Sequence, residues 1–191
     1  MFAAFGQYRL LVALRNGQSG VEQVNRQVEQ LLVQHRLLPP RPEKGLWYAG
    51  RPVMISRNDY DLGLFNGDVG ITLWHTDGVK PQLKVAFPDS DGGIRWFLPS
   101  RLPAHETAFA MTVHKSQGSE FTRVCLLLPY EWQSVITREL IYTAITRARE
   151  QFDVFSSSDS WERGVRARVQ RASGLREALW PQAANEFEEL L

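Results

Sequence analysis

From Thr112 to Glu120 the chain reads Thr-Val-His-Lys-Ser-Gln-Gly-Ser-Glu, a run in which hydroxyls, an imidazole, an ammonium and a carboxylate crowd around one glycine. Those groups suit phosphate chemistry. Thr112, His114, Lys115 and Ser116 can donate hydrogen bonds to a phosphodiester, Gly118 permits close backbone approach, and Glu120 can accept from ribose hydroxyls. A second group follows in Tyr142-Thr-Ala-Ile-Thr-Arg-Ala-Arg149, read as a helix whose other face holds Leu140, Ile141, Ala144, Ile145 and Ala148. A guanidinium held by a packed helix can set fixed positive charge against a transferring phosphoryl group, as an arginine finger does. Arg147 shares a face with Thr143 by four-residue spacing, and Arg149 lies round the helix from it. Each group also has a plain structural reading. The first is an ordinary polar connection and the second a pair of charges favourable to a helix C-terminus.

What is missing narrows the chemistry. The chain has four lysines, Lys44, Lys80, Lys84 and Lys115, and none follows the Gly-x-x-x-x-Gly pattern of a phosphate-cradling loop. The apolar run Val124–Leu128 leads into Pro129 and Tyr130 rather than into an acid that would help to hold magnesium. His35, His75, His105 and His114 have no zinc spacing, and the single Cys125 excludes an internal disulfide and a cysteine metal cluster. Packing is the expected role of Cys125. With 22 Lys+Arg against 21 Asp+Glu, the net charge of +1 argues neither for nor against a nucleic-acid partner. A local bias exists: Arg9, Arg15, Arg26, Arg36, Arg41, Lys44, Arg51 and Arg57 outnumber the acids of the first third, whereas Glu186, Glu188 and Glu189 close the chain. No apolar run approaches the roughly 18 residues of a membrane span, and Met1-Phe-Ala-Ala-Phe5 lacks the regions of a signal peptide. A cytoplasmic location is expected.

The elements that must position these groups alternate in kind. Tyr8–Leu14 reads as a buried strand ending in an Arg15-Asn-Gly17 turn, and Val21, Val24, Val28, Leu31, Leu32 and Leu38 fall at helical spacing before Pro39-Pro40. Between Pro42 and about Pro103 come four β-like runs, 51–56, 69–74, 82–87 and 94–98, with turns at Asn66-Gly67-Asp68, Asp77-Gly78 and Asp91-Gly-Gly93. This alternation predicts a small closed or nearly closed β-barrel inserted into an α/β body. Trp47, Tyr48, Phe65, Trp74, Phe87, Trp96 and Phe97 would mostly build its core, although an exposed member could stack on a base. Ala108–Val113 and Val124–Leu128 then read as strands buried on both faces. Thr137 is the expected N-cap of a helix to about Glu150, Phe152–Phe155 a further strand, and Trp161–Leu179 a surface helix. The chemistry-bearing loop leaves the carboxyl end of a strand, where open parallel sheets collect ligands.

These motifs resemble those of the superfamily 1B helicases. Thr112–Phe121 is similar to helicase motif V, Tyr142–Arg149 to motif VI, and Arg15-Asn-Gly-Gln-Ser-Gly-Val21 with Val24-Asn25 to the motif IV region. Phe65-Asn-Gly-Asp-Val-Gly70 resembles the signature of the inserted SH3-like barrel, domain 2B. Within the superfamily the resemblance is to RecD, the alpha subunit of exodeoxyribonuclease V, and it extends to about residue 180.

The resemblance implies the C-terminal half of a 5′-to-3′ DNA helicase of double-strand break repair and recombination. A RecA-like domain 2A would occupy 1–41 and 105–180, barrel 2B would occupy 42–104, and 181–191 would be a tail. ATP and Mg2+ would be bound mainly by an N-terminal motor domain outside these residues. By the same resemblance Arg147 contacts the γ-phosphate, with Arg15 a second contact, and Gly118 and Glu120 border the nucleotide. Thr112, His114, Lys115 and Ser116 hold single-stranded DNA, Arg149 is a structural support, and Asn66, Gly67 and Asp68 shape a barrel turn from which Asn66 could reach the emerging strand. The implied partners are single-stranded DNA, the N-terminal RecA-like domain, and RecB-like and RecC-like subunits. A non-catalytic nucleic-acid or protein adaptor that keeps the fold is the alternative. Lacking a phosphate loop and a magnesium-holding acid, the isolated 191-residue chain is expected to hydrolyse no ATP; DNA-stimulated phosphate release from a clean preparation would contradict that reading.

Overall fold

The continuous apolar runs become buried parallel strands in the computed structural model, which describes residues 1–38, 47–76, 78 and 80–169. Strands β1 (Tyr8–Val12), β7 (Ala110–Thr112), β8 (Phe121–Leu127) and β9 (Ala148–Phe155) form a four-stranded sheet in the order β7-β1-β8-β9, every pairing parallel. Alternation along each strand divides the side chains between two faces. Leu11, Met111, Val124 and Leu126 pack on one side with Leu140, Ile141 and Ala144 of helix α3 (Arg138–Ile145), while Val12 and Ala110 meet Val21 and Val24 of helix α2 (Val21–Gln34) on the other. Cys125 is buried among them, as its apolar neighbours predict.

The middle of the chain makes a second sheet. Strands β2 (Pro52–Ile55), β3 (Val69–Thr76), β4 (Pro81–Pro88), β5 (Ile94–Phe97) and β6 (His105–Thr107) pair antiparallel in the order β5-β4-β3-β2-β6. Val53, Ile55, Leu64, Val85 and Phe87 form its core. Gly70 is needed where β3 crosses the Phe87 ring, since a Cβ there would lie 2.7 Å from Cζ. Met54 points the other way, into the core of the parallel sheet, and so joins the two. Arg9 is buried between the rings of Phe5, on the short helix α1 (Phe2–Phe5), and Phe121, at 4.1 and 4.8 Å, its Nη1 donates to the Ala108 carbonyl at 3.3 Å, and desolvation lowers its pKa to about 10.

Several elements differ from their sequence expectations. Thr137 does cap α3, accepting from the Leu140 amide at 3.3 Å, but the helix ends at Ile145 rather than near Glu150. Arg147 lies in the turn and Arg149 on β9, because the Phe121 amide takes the Arg147 carbonyl at 2.8 Å and β8 recruits the following residues as a partner. Strand pairing here overrides the helix propensity of Arg-Ala-Arg-Glu. Helix α2 ends at Gln34, where Arg36 turns left-handed at φ 57° and the amides of Leu37 and Leu38 both return to the Leu32 carbonyl. The strand expected over 108–113 is ordered only at Ala110–Thr112, and Val113–Ser116 forms a 3-10 turn instead. The C-terminal helix α4 spans Ser158–Arg166, earlier than expected, with Ser157 as its N-cap. Pro39-Pro40, Asp77, and the expected helix and tail beyond Val169 lie outside the described residues.

Candidate functional site

Strand β7 stands at the edge of the parallel sheet, with β1 on one side only. Its other side is completed by an amide side chain. Asn25 Oδ1 accepts from the Ala110 amide at 2.8 Å, and Asn25 Nδ2 donates to the carbonyls of Ala110 at 3.0 Å and Val21 at 2.9 Å. At 5% exposure Asn25 is sealed from water, so these bonds close an edge that would otherwise hold unsatisfied groups. The loop that follows therefore starts from a fixed backbone.

Thr112 caps the 3-10 turn by accepting from the Lys115 amide at 3.4 Å, which points Lys115 out of the sheet end. Lys115 Nζ does not stand free. It donates to Glu106 Oε1 of β6 at 2.7 Å, in a partly buried ion pair. His114 is exposed, whereas Ser116 is fully buried and its hydroxyl donates to the Val113 carbonyl at 2.7 Å. The sequence expectation that Ser116 faces a phosphodiester is corrected here, because the turn that exposes His114 rotates Ser116 inward. Gly118 has φ +83°, and a Cβ added there would meet nothing within 4 Å, so backbone conformation rather than crowding requires glycine at this position.

The far end of the loop is held by the turn after α3. Arg147 Nη1 donates to the Ser119 carbonyl at 3.1 Å, Nε to the Thr143 carbonyl at 3.3 Å, and Nη2 to Thr146 Oγ1 at 3.2 Å. One guanidinium thus ties the last turn of α3 to the loop, one residue past Gly118. Arg149 Nε donates to Glu120 Oε2 at 3.0 Å. That pair is exposed on both sides, and such pairs are worth about 0–1 kcal/mol, so it orients Glu120 more than it stabilises the fold.

Arg15, Glu106, Thr112, His114 and Lys115 share one cleft of about 350 Å³ between the two sheets. The structure therefore groups Arg15 with the residues expected to grip a strand, not with Arg147, which does not line that cleft. A larger cleft of about 890 Å³ opens on the other side of His114, between Gln117, Trp132, Glu139, Thr143 and Arg168. Asn66 lines neither. It sits in the turn before β3, where its amide donates to Asn58 Oδ1 at 2.8 Å and Gly67 takes φ +100°. Two contributors have roles that the sequence does not display. Glu106 belongs to a three-residue strand with no periodic pattern, and Asn25 acts across 85 residues of chain.

Comparison with known proteins matches residues 107–152 to the UvrD-like helicase C-terminal domain. The chain is 43% identical over 171 residues to the RecBCD enzyme subunit RecD of Haemophilus influenzae, covering 90% of this chain and 25% of that protein. It is 40% identical to the RecBCD enzyme subunit RecD of Mycolicibacterium smegmatis, over 94% of this chain and 30% of the relative. With the ATP-dependent RecD2 DNA helicase of Deinococcus radiodurans it shares 30% identity, over 91% of this chain and 24% of the relative. The chain thus spans about a quarter to a third of the length of these curated relatives. Among solved structures, a Bacteroides Pif1 helicase in complex with ADP-AlF3 and ssDNA superposes with a TM-score of 0.54 at 18% identity, covering 94% of this chain and 46% of that one. That likeness shows a common α/β fold with a parallel sheet.

Replacing Asn25 by alanine leaves the Ala110 amide and carbonyl buried without partners, which should cost about 1–3 kcal/mol in denaturant unfolding. Hydrogen exchange at the Ala110 amide should accelerate in the same variant; unchanged protection at that amide would contradict the edge-closing role.

Proposed function

We propose that the chain, as a member of the RecD family, is the C-terminal part of an ATP-dependent 5′-to-3′ DNA helicase acting in double-strand break repair and recombination. One observation carries the reading: a single loop, Thr112–Glu120, has a cationic cleft at its start and the Arg147 guanidinium bonded to its end. In this account the parallel sheet is the RecA-like domain 2A, over 1–41 and 105–180, and the antiparallel sheet is an SH3-like barrel 2B over 42–104, with β6 continuing its pairing to Thr107. The domain that precedes this part on the full-length protein supplies the phosphate loop and the magnesium ligands.

ATP with Mg2+ supplies the free energy of γ-phosphoryl cleavage. The residues present fit one wall of such a site and no more. Arg147 is a fixed cation with its donors on carbonyl and hydroxyl oxygens, groups that a phosphate oxygen can replace. Gly118 and Glu120 border the same position. Arg15, Thr112, His114 and Lys115 hold the backbone of single-stranded DNA in the cleft between the sheets, and Asn66 reaches the emerging strand. Their contacts are with phosphate and sugar, so binding is tolerant of sequence and sensitive to salt. When Arg147 leaves the Ser119 carbonyl for a phosphate, the loop around Gly118 is released and the grip at His114 and Lys115 changes with it. The partners are an N-terminal RecA-like domain and RecB-like and RecC-like subunits, in the cytoplasm. No helix among the described residues is long and apolar enough to cross a membrane. The adaptor alternative has no observation in its favour.

The test is Arg147→Ala in the full-length protein. DNA-stimulated ATP turnover should fall by on the order of 10³, the size of an arginine-finger effect. Turnover near that of the unmodified protein would overturn the assignment of Arg147.

A further inference from the structure

Glu106 has no part in the proposed motor cycle, yet its carboxylate lies where a DNA phosphate is placed by that proposal. It stands on β6 opposite Met54 of β2, and residues directly opposite in an antiparallel pair share a face. Met54 enters the core of the parallel sheet, so Glu106 is carried to the same side, over the loop. There it meets Lys115 Nζ at 2.7 Å, with side-chain exposures of 32% for the glutamate and 26% for the lysine. A charge-assisted bond this short and this shielded is stronger than one between fully exposed groups. Among the residues that line the cleft, Arg15, His114 and Lys115 carry or can carry positive charge, and Glu106 is the one carboxylate.

We propose that Glu106 is an affinity-setting residue, an internal stand-in for a DNA phosphate that occupies Lys115 until single-stranded DNA displaces it. The inference rests on the reading that Lys115 grips the strand. Each binding event then exchanges one oxyanion for another at Lys115, so the net gain is smaller than a free ammonium would give. A motor that must let go of its strand once per step needs such a weakened grip. The freed Glu106 carboxylate regains a counter-cation as DNA sheds one, which also flattens the dependence of affinity on salt. Because Glu106 sits on the antiparallel sheet and Lys115 on the loop of the parallel sheet, the same exchange loosens one tie between them.

The experiment is equilibrium binding of a fluorescent oligothymidylate to the full-length protein over a range of salt concentrations, for Glu106→Gln, Lys115→Ala and the double variant. Glu106→Gln keeps the shape and removes the charge. It should tighten binding by about threefold to tenfold at low salt and steepen the log–log salt slope by up to about 0.7, one single-strand phosphate contact. Lys115→Ala should weaken binding, and Glu106→Gln should tighten it less in that background than in the unmodified protein. Glu106→Ala gives the same gain if the amide finds a bond of its own. A structural role alone predicts weaker or unchanged binding on removal of the carboxylate. If Lys115→Ala weakens binding and neither Glu106 variant tightens it, the inference is overturned and the strand-gripping reading stands. If Lys115→Ala leaves affinity unchanged, both fall.

Discussion

The side-chain amide of Asn25 gives the outer edge of β7 the donor and acceptor that a neighbouring strand would have supplied, at 3.0 and 2.8 Å from the Ala110 backbone. A parallel sheet with an open edge would present unsatisfied groups to a region that α2 covers with apolar side chains. Closing that edge fixes the height at which the chain leaves the sheet after Thr112. Thr112, His114 and Lys115 hang from that exit, because the 3-10 turn of Val113–Ser116 begins there and its cap is Thr112 itself. A helix residue thus sets the position of a loop distant from it in sequence, with a single carboxamide.

From this fixed start the loop runs to a second fixed point, the bonds of Arg147 to Ser119 and of the Phe121 amide to the Arg147 carbonyl. Between them lies Gly118 in a left-handed conformation. A short segment anchored at both ends, with one permissive residue near the bond that a ligand would replace, suits the transfer of a change at one end to the other. The energetic content of such coupling is a difference in contacts between two states, not the distance between sites. In the proposed function the two ends are nucleotide and strand, and the Glu106–Lys115 pair adds a competing contact at the strand end.

How much of this could be read from the chain depended on the range of the interaction. Buried strands, the Thr137 cap and the catalogue of phosphate-competent residues are local or periodic, and the sequence displays them. The end of α3 is not local. Arg-Ala-Arg-Glu favours helix, and only the Phe121 amide and the β8 edge, brought from a separate segment, turn it into strand. Ser116 looked like a ligand because residue type says nothing of which way a 3-10 turn points it, and the turn points it inward. Arg15 was grouped with Arg147 by resemblance, while the cleft sets it beside His114 and Lys115. Glu106 gave no signal, and Asn25 only its place in the motif IV resemblance, since each acts across the fold on a partner that topology alone selects.

The central claim, that the loop from Thr112 to Glu120 transmits the state of Arg147 to the strand-gripping cleft, is tested most directly by nucleotide-dependent DNA affinity. Single-stranded DNA binding would be measured for the full-length protein with and without a non-hydrolysable ATP analogue, in the unmodified protein and in Arg147→Lys. Coupling predicts an affinity ratio of about fivefold or more between the two nucleotide states, collapsing toward one in the variant while nucleotide-free DNA binding is retained. An undiminished ratio in Arg147→Lys would contradict the account.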